Sequence, residues 1–179
     1  MSSQSTDGAT IVHDLQRRIR ETRRAYDRLE RGQSAALRRA RDATEVALEG
    51  VYWRIGGSLA QEARGRDLAH VVIHFPLAKQ SNRTDFRFGR FLRREIGKSP
   101  SGILRFRRLL DSRDRAELDH RLRGVLRLVA RSGRGVDWGV LGLDILWFFA
   151  ESDAVRRRWS QDFYAPISAD AEIEASPNP

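Results

Sequence analysis

The sequence has no cysteine among its 179 residues, and this absence excludes disulfide bonds and thiolate metal sites. Long hydrophobic runs are missing too: the longest, over residues 145–150, is far too short to span a bilayer. The first residues, Ser2, Ser3 and Gln4 among them, are polar and form no apolar signal region. These absences predict a soluble cytoplasmic protein that has no membrane partner.

Recognisable catalytic patterns are also missing. We find no pair of carboxylates suited to hydrolysis, no serine–histidine–aspartate arrangement and no phosphate-binding loop of the GxxxxGK type. His70 and His74 lie four residues apart, a spacing that can hold a metal ion, but no third ligand is visible nearby. The sequence therefore predicts no enzyme, no metal site and no cofactor.

Positive charge, in contrast, is abundant, and the formal net charge is +9. Of the 33 basic residues only Lys79 and Lys98 are lysine, and the rest are arginine. Arginine offers phosphate a fixed fork of donors and can stack on bases, so this bias favours a nucleic-acid partner. A GC-rich genome would produce the same bias through its codons, which limits the weight of composition alone.

Apolar residues recur at helical spacing along most of the chain, and no segment alternates as a strand would. The sequence therefore predicts an all-α fold, which we divide into two small helical sub-bundles. The predicted division is a disordered N-terminus (1–9), an N-terminal sub-bundle (10–98), a C-terminal sub-bundle (99–167) and a disordered acidic tail (168–179).

Helix boundaries are predicted from capping residues. We expect Gly32 to end the first helix and Ser34 to cap the next. Four later helices are expected to begin at Ser99-Pro100, at Asp114 with Glu117 three residues later, at Asp137, and at Ser152 or Asp153. The tryptophans Trp138, Trp147 and Trp159 lie at helical spacing, which favours the core over a platform for base stacking.

Arginine is concentrated in one part of the chain. Residues 87–131 contain thirteen arginines and Lys98 against five acidic residues, an excess of nine positive charges. Intrahelical pairs such as Glu117 with Arg121 explain single arginines, but an excess of this size attracts polyanions. Few amide or hydroxyl side chains accompany these arginines to read base edges, so the pattern favours phosphate contacts. A membrane-bound basic helix is disfavoured, because the exposed aromatic and leucine edge that it needs is missing.

Several short motifs, in a fixed order, resemble one known family. They are residues 29–39 (LERGQSAALRR), Phe88-Gly89-Arg90, residues 105–111 (RFRRLLD), residues 118–126, Val136-Asp137-Trp138, the aromatic cluster near Trp147, and residues 159–164 (WSQDFY). In this order and spacing they are similar to CasB, the small subunit of the type I-E CRISPR surveillance complex, Cascade. The residues around 74–83 depart from the usual pattern of that family.

The resemblance implies a small all-helical protein that cleaves nothing. Its implied partners are the other Cascade subunits, a second copy of itself placed head to tail, the guide RNA and the target DNA. Its implied role is to stabilise the guide RNA–target assembly and to hold strands of the R-loop. Guide pairing supplies the specificity in such a complex, so a protein of this kind needs affinity only for the backbone.

Eight arginines are carried over from the family's basic positions as candidate nucleic-acid-binding residues. They are the paired Arg38 and Arg39, then Arg90 after the glycine, and then Arg107, Arg108, Arg113, Arg121 and Arg123 at and after the RFRRLLD motif. Two alternatives stay open at this point. The arginines could meet acidic protein surfaces in a scaffold subunit, or the helices around residues 112–114 could belong to a sequence-specific repressor.

Overall fold

A computed structural model describes residues 3–62, 65–81, 85–150 and 153–166, without the side chains of residues 3–7, 65 and 66. Ten α-helices lie in these residues: α1 (Ser3–Asp27), α2 (Arg31–Arg39), α3 (Ala43–Leu48), α4 (Gly50–Gln61), α5 (Gly65–Val72), α6 (Phe88–Ile96), α7 (Pro100–Leu110), α8 (Arg115–Ala130), α9 (Trp138–Trp147) and α10 (Ala154–Tyr164). A 3₁₀ turn (Phe75–Leu77) follows α5. The predicted all-α fold is confirmed. None of the described helices is long and apolar enough to cross a membrane.

Three of the predicted caps are present. Ser99 Oγ accepts a hydrogen bond from the Gly102 N–H at 3.1 Å, and Asp114 Oδ1 accepts one from the Glu117 N–H at 2.8 Å. Asp137 Oδ1 accepts from the Gly139 N–H at 2.8 Å. These side chains satisfy N–H groups that the first turn of a helix leaves without a partner, which fixes where α7, α8 and α9 begin.

The boundaries predicted around α2 were wrong. Gly32 and Ser34 lie inside α2 and do not precede it, and the Ser34 side chain is buried and bonds back to the Arg31 carbonyl. The predicted beginning of α10 is confirmed, because Asp153 stands at its N-cap, although the Asp153 side chain makes no capping hydrogen bond. Ser152, the other predicted cap, lies outside the described residues. Within the segment 1–9 predicted to be disordered, α1 already begins at Ser3. Extending a helix that is already formed adds one hydrogen bond per residue, so residues of low helix propensity at its end can become helical too. The tail 168–179 also lies outside the described residues.

The core is continuous and joins helices that are distant in sequence. α1 packs most closely on α9, and α6 packs on α10. Both of these contacts cross residue 98, where the sequence predicts the division between two sub-bundles. One contiguous cluster of buried side chains runs through both sides. The division therefore stays a prediction, and the packing that we describe is shared between the two halves.

Aromatic side chains fill this core as the sequence predicts. Trp138 and Trp159 are fully buried, and Trp147 is half-buried against the same cluster. Phe88 lies 4.7 Å from Trp159 between ring centroids, which ties α6 to α10. The rings of Phe106 and Phe163 stack at 3.8 Å and join α7 to α10. The core therefore holds the helices that carry the arginines in fixed relative positions.

Candidate nucleic-acid interface

The corner between α7 and α8 brings together four of the predicted arginines. Glu117, in the first turn of α8, accepts a hydrogen bond from the backbone N–H of Arg113 at 2.7 Å. The same carboxylate pairs with the Arg121 guanidinium, which also donates to the carbonyl oxygen of Arg108. Arg107, next to Arg108, donates from Nε to the Tyr164 hydroxyl at 3.4 Å. We call Arg107, Arg108, Arg113 and Arg121 the α7–α8 corner.

A second group forms where α2 approaches α8. Arg38 and Arg39 lie exposed at the end of α2. Two residues further on, the carbonyl oxygen of Arg41 accepts a hydrogen bond from Arg123 on α8 at 3.1 Å. Arg38, Arg39, Arg41 and Arg123 form what we call the α2–α8 surface. The first of the eight predicted arginines in chain order, Arg38 and Arg39, and the last, Arg123, therefore lie at the same surface.

Arg41 is a member of this group that the sequence analysis missed. Asp42 Oδ1 caps α3 by accepting from the Glu45 N–H at 2.9 Å, and Glu45 accepts from the Arg41 N–H at 2.8 Å. This is the arrangement that Arg113, Asp114 and Glu117 make at α8. The sequence does contain a pattern that could have identified Arg41, because residues 41–45 and 113–117 share the motif Arg-Asp-x-x-Glu. The Arg41 side chain is 86% exposed, although Glu45 pairs with it.

Arg90 stands apart from these two groups. It is exposed on α6, the helix that packs on α10. Within the part of the chain that the structure describes, no hydrogen bond or ion pair connects its side chain with the α7–α8 corner or the α2–α8 surface. The structure thus brings seven of the eight predicted residues into two groups and leaves Arg90 outside both.

The predicted arginines also differ in whether they pair with a carboxylate. Among the described residues, Arg121 is the only predicted site residue whose guanidinium lies within 4.0 Å of a carboxylate. Of the other seven, Arg123 is half-buried and six are exposed, namely Arg38, Arg39, Arg90, Arg107, Arg108 and Arg113. Arg121 is half-buried and pairs with Glu117. Acidic residues from outside the segment 87–131 also reduce its charge excess, since Asp162 pairs with Arg87 and Asp67 with Arg115.

Many other arginines hold the fold together. Arg20 on α1 makes two hydrogen bonds of 2.9 Å to Asp137, the residue that caps α9. Arg156 on α10 donates to the Ser112 carbonyl at 2.8 Å and lies over the Phe148 ring. Arg158 pairs with the buried Asp144. These side chains use their donors within the molecule, so the arginine count of the sequence overstates the charge that is free to bind phosphate.

His70 on α5 and His74, two residues after the end of α5, have a partner that the sequence did not reveal. Asp119 of α8 lies between them, 2.5 Å from His70 Nδ1 and 3.1 Å from His74 Nε2. Burial lowers the pKa of His74 despite its contact with Asp119. Burial by itself would raise the pKa of Asp119, but the hydrogen bonds from His70 and His74 outweigh it and lower that pKa. Among the described residues, no group of three or more histidine and acidic side chains is arranged to hold a metal ion.

Comparisons with known proteins agree with this fold. The family model of CRISPR-associated protein Cse2 matches residues 33–164. The structure is similar to a Cse2-family protein from Thermus thermophilus (TM-score 0.61, 22% identity, covering 81% of this chain and 96% of the other). It is also similar to CasB from Thermobifida fusca (TM-score 0.63, 21% identity, 87% and 98%) and to CasB from M. ruber (TM-score 0.64, 20% identity, 87% and 98%).

At these identities the solved structures support the fold alone. None of the curated proteins matches the sequence. The family model, in contrast, spans more than half of the chain and covers every helix from α3 to α10, together with most of α2. The chain therefore belongs to the CRISPR-associated protein Cse2 family.

Proposed function

We propose that this chain is a non-catalytic small subunit of a type I-E CRISPR surveillance complex, Cascade, in the cytoplasm, and that it binds nucleic acid without reading its sequence. The observation that carries the proposal is that the fold places arginines from separate helices, most of them exposed, at the α7–α8 corner and the α2–α8 surface. Membership of a CRISPR-associated family supplies the context. Arginine side chains without a carboxylate partner are suited to phosphate contacts.

The partners follow from this role. They are the other Cascade subunits, a second copy of the chain, the guide RNA and the target DNA. In such an assembly the guide selects the target by base pairing, and the protein contributes affinity for the backbone. We propose that the basic surfaces stabilise the guide–target pairing and the strands of the R-loop in this way, as a contribution to antiviral defence.

The salt dependence of binding tests this proposal. Labelled single-stranded DNA, duplex DNA and RNA of mixed sequence are titrated with the wild type and with the double variants R38A/R39A and R107A/R108A. Each phosphate contact that is lost should reduce the slope of log affinity against log salt by about 0.7 on single strands and about 0.9 on duplex DNA. Each double variant should therefore bind more weakly than the wild type, by the same factor for every nucleic-acid sequence.

A matched control removes two exposed arginines that belong to neither group. Arg17 and Arg24 on α1 are such residues, so R17A/R24A changes the net charge by the same amount. We expect the control to keep the wild-type slope apart from a small long-range effect of charge. Equal loss in all three variants would mean that binding follows net charge and not these surfaces.

One observation favours a second candidate, a scaffold subunit that meets acidic protein surfaces. Several arginines already bind carboxylates within the molecule, as Arg20 does with Asp137 and Arg158 with Asp144. Wild-type affinity for DNA no stronger than for heparin or polyglutamate would support this alternative. Selection of a sharp motif from a random duplex library would instead support the repressor.

A further inference from the structure

A groove on the surface is lined by cations from four separate elements. It has a volume of about 490 Å³. Arg38 reaches it from α2, Lys79 from the segment after the 3₁₀ turn and Arg134 from the loop between α8 and α9, while Arg23 of α1 lies in its wall. Sequence reasoning selected only Arg38 of these four as a binding residue, because the other three are up to 111 positions apart and the fold alone brings them together.

The segment that carries Lys79 is anchored on both sides. The Arg23 guanidinium donates to the carbonyl oxygens of Phe75 and Ala78, the latter at 2.8 Å. Trp138 Nε1 also donates to the Ala78 carbonyl at 3.2 Å. Lys79 itself follows directly, and its carbonyl oxygen accepts from the Val136 N–H at 2.9 Å. This side of the groove is therefore formed before any ligand arrives.

The loop that carries Arg134 is held equally closely. Glu95 on α6, a nearly buried carboxylate, accepts a hydrogen bond from Arg134 at 2.8 Å and leaves the rest of the guanidinium available. Gly135 lies so near the backbone of the Lys79 segment that a Cβ atom there would come within 2.8 Å of the Lys79 carbonyl oxygen. Lys79 and Arg134 are thus fixed side by side on a rigid wall.

The charges in the groove do not cancel. Among the described residues, Asp27 is the only acidic one that lines it, and its carboxylate is already bound by two hydrogen bonds from Arg23, of 3.1 and 2.7 Å. Arg38 meets no carboxylate within 4.0 Å in the same part of the chain and donates to Ser34 Oγ at 3.3 Å. The Lys79 ammonium, also exposed, has no ion pair there either. Since Arg134 is paired with Glu95, the uncompensated positive charges that a ligand would meet are those of Arg38 and Lys79.

We propose that this groove binds the phosphodiester backbone of a single nucleic-acid strand, with Arg38 on one side and Lys79 and Arg134 on the other. The inference rests on the proposed function and names the place where the backbone lies. The volume of about 490 Å³ lies in the range of sites that hold small ligands, which suits a short stretch of one strand. Preformed cations in a groove are the usual means of following a single strand without reading bases.

The composition of the chain offers a sharp test, because Lys79 and Lys98 are its only lysines. Both are exposed, and Lys98, at the junction of α6 and α7, is not among the residues that line the groove. The full chain is treated with an amine-acetylating reagent, free and with saturating mixed-sequence single-stranded DNA, and each lysine is quantified by mass spectrometry. We expect DNA to slow acetylation of Lys79 several-fold, with Lys98 as the internal reference.

A pair of charge reversals provides the matched variants. K79E and K98E change the net charge identically, so only position distinguishes them. We expect K79E to weaken single-strand affinity about tenfold, which corresponds to about 1.4 kcal/mol, and K98E to have a clearly smaller effect. A circular dichroism melt establishes that both variants are folded.

The outcomes separate the two proposals. One outcome is that the wild type binds DNA, Lys79 stays as reactive as in the free protein, and K79E binds DNA as K98E does. The proposal that the groove binds the strand is then wrong, and the proposed function depends on the other arginines. If the wild type fails to bind any strand at low salt, the proposed function itself is overturned and the groove falls with it. Protection of Lys79 together with selective loss in K79E supports both.

Discussion

Arg23 and Arg39 have the same side chain in opposite surroundings. Arg23 is buried, bonds to Asp27 and to two backbone carbonyls, and lies over the rings of Tyr26 and Phe75. Arg39 is exposed and meets no carboxylate within 4.0 Å in the part of the chain that the structure describes. A guanidinium whose donors are already used cannot bind phosphate without breaking internal bonds. Charge counts therefore become binding surfaces only after each arginine has been placed.

Asp144 gives a residue-scale prediction about pH. It is buried on α9, accepts a hydrogen bond from Trp159 Nε1 at 2.6 Å and pairs with Arg158. Burial raises its pKa to about 6, in spite of these two contacts. The folded state therefore holds a proton between pH 4 and 6 that the unfolded chain releases. Its contribution to stability is complete below about pH 4 and is lost as the pH rises through about 6.

The variant D144N removes this titration and keeps a side chain of the same shape. We expect the unfolding free energy of the wild type, minus that of D144N, to fall by about 3 kcal/mol between pH 4 and pH 7. Urea unfolding at several pH values measures it, and subtraction removes the titration of His74 and Asp119, which both proteins share. A difference that stays constant over this range would show that Asp144 titrates with an ordinary pKa.

At the scale of the helix, two glycines should respond oppositely to the same substitution. Gly124 is exposed in the middle of α8, and a Cβ atom there would meet nothing within 4 Å. Gly89 on α6 lies against the backbone of Trp159 on α10, where a Cβ atom would clash with a carbonyl oxygen. A backbone atom cannot move aside as a flexible side chain can. The two positions differ in packing and not in helix propensity.

We expect G124A to raise the unfolding free energy by about 1 kcal/mol, because alanine restricts the unfolded chain and favours the helix. The variant G89A should lower it by roughly 1–3 kcal/mol through overpacking between α6 and α10. Denaturant unfolding of the two variants beside the wild type checks both signs. Stabilisation by G89A would mean that α6 and α10 are not in close contact.

The same scale shows what the sequence can and cannot predict. Caps are local, so Ser99, Asp114 and Asp137 were identified correctly from short patterns. The beginning of α2 was wrong because Ser34, a common capping residue, is buried inside that helix. Contacts between distant helices have no local signature. Asp119 between the two histidines, and Lys79 beside Arg134, follow from the packing of α5, α8 and the α8–α9 loop.

The candidate site shows the same limit at a larger scale. Sequence resemblance selected the arginines of the α7–α8 corner, whereas the contacts of Arg113 and Arg121 with Glu117 came from the structure. It also selected Arg90, which the described contacts place in neither group. Whether an arginine pairs with a carboxylate from another helix, as Arg87 does with Asp162, depends on tertiary packing. That information is spread over the whole chain.

The whole molecule should unfold as one unit, although the sequence predicts two sub-bundles. The contacts of α1 with α9 and of α6 with α10 both cross residue 98, and Arg20 on α1 holds the cap of α9. Breaking either half would expose apolar surface of the other. We therefore expect a single calorimetric transition, with a calorimetric enthalpy equal to the van't Hoff enthalpy.

A substitution that disturbs one helix contact tests directly whether the molecule unfolds as one unit. The variant G89A disturbs the α6–α10 contact, whereas Trp138 lies in the core beside Phe75 and Arg23. In a cooperative molecule, amide hydrogen exchange around Trp138 should accelerate to the same extent as exchange around Trp159, because both regions open only in global unfolding. Acceleration confined to the region of Trp159, together with two calorimetric transitions, would establish the two sub-bundles as separate folding units.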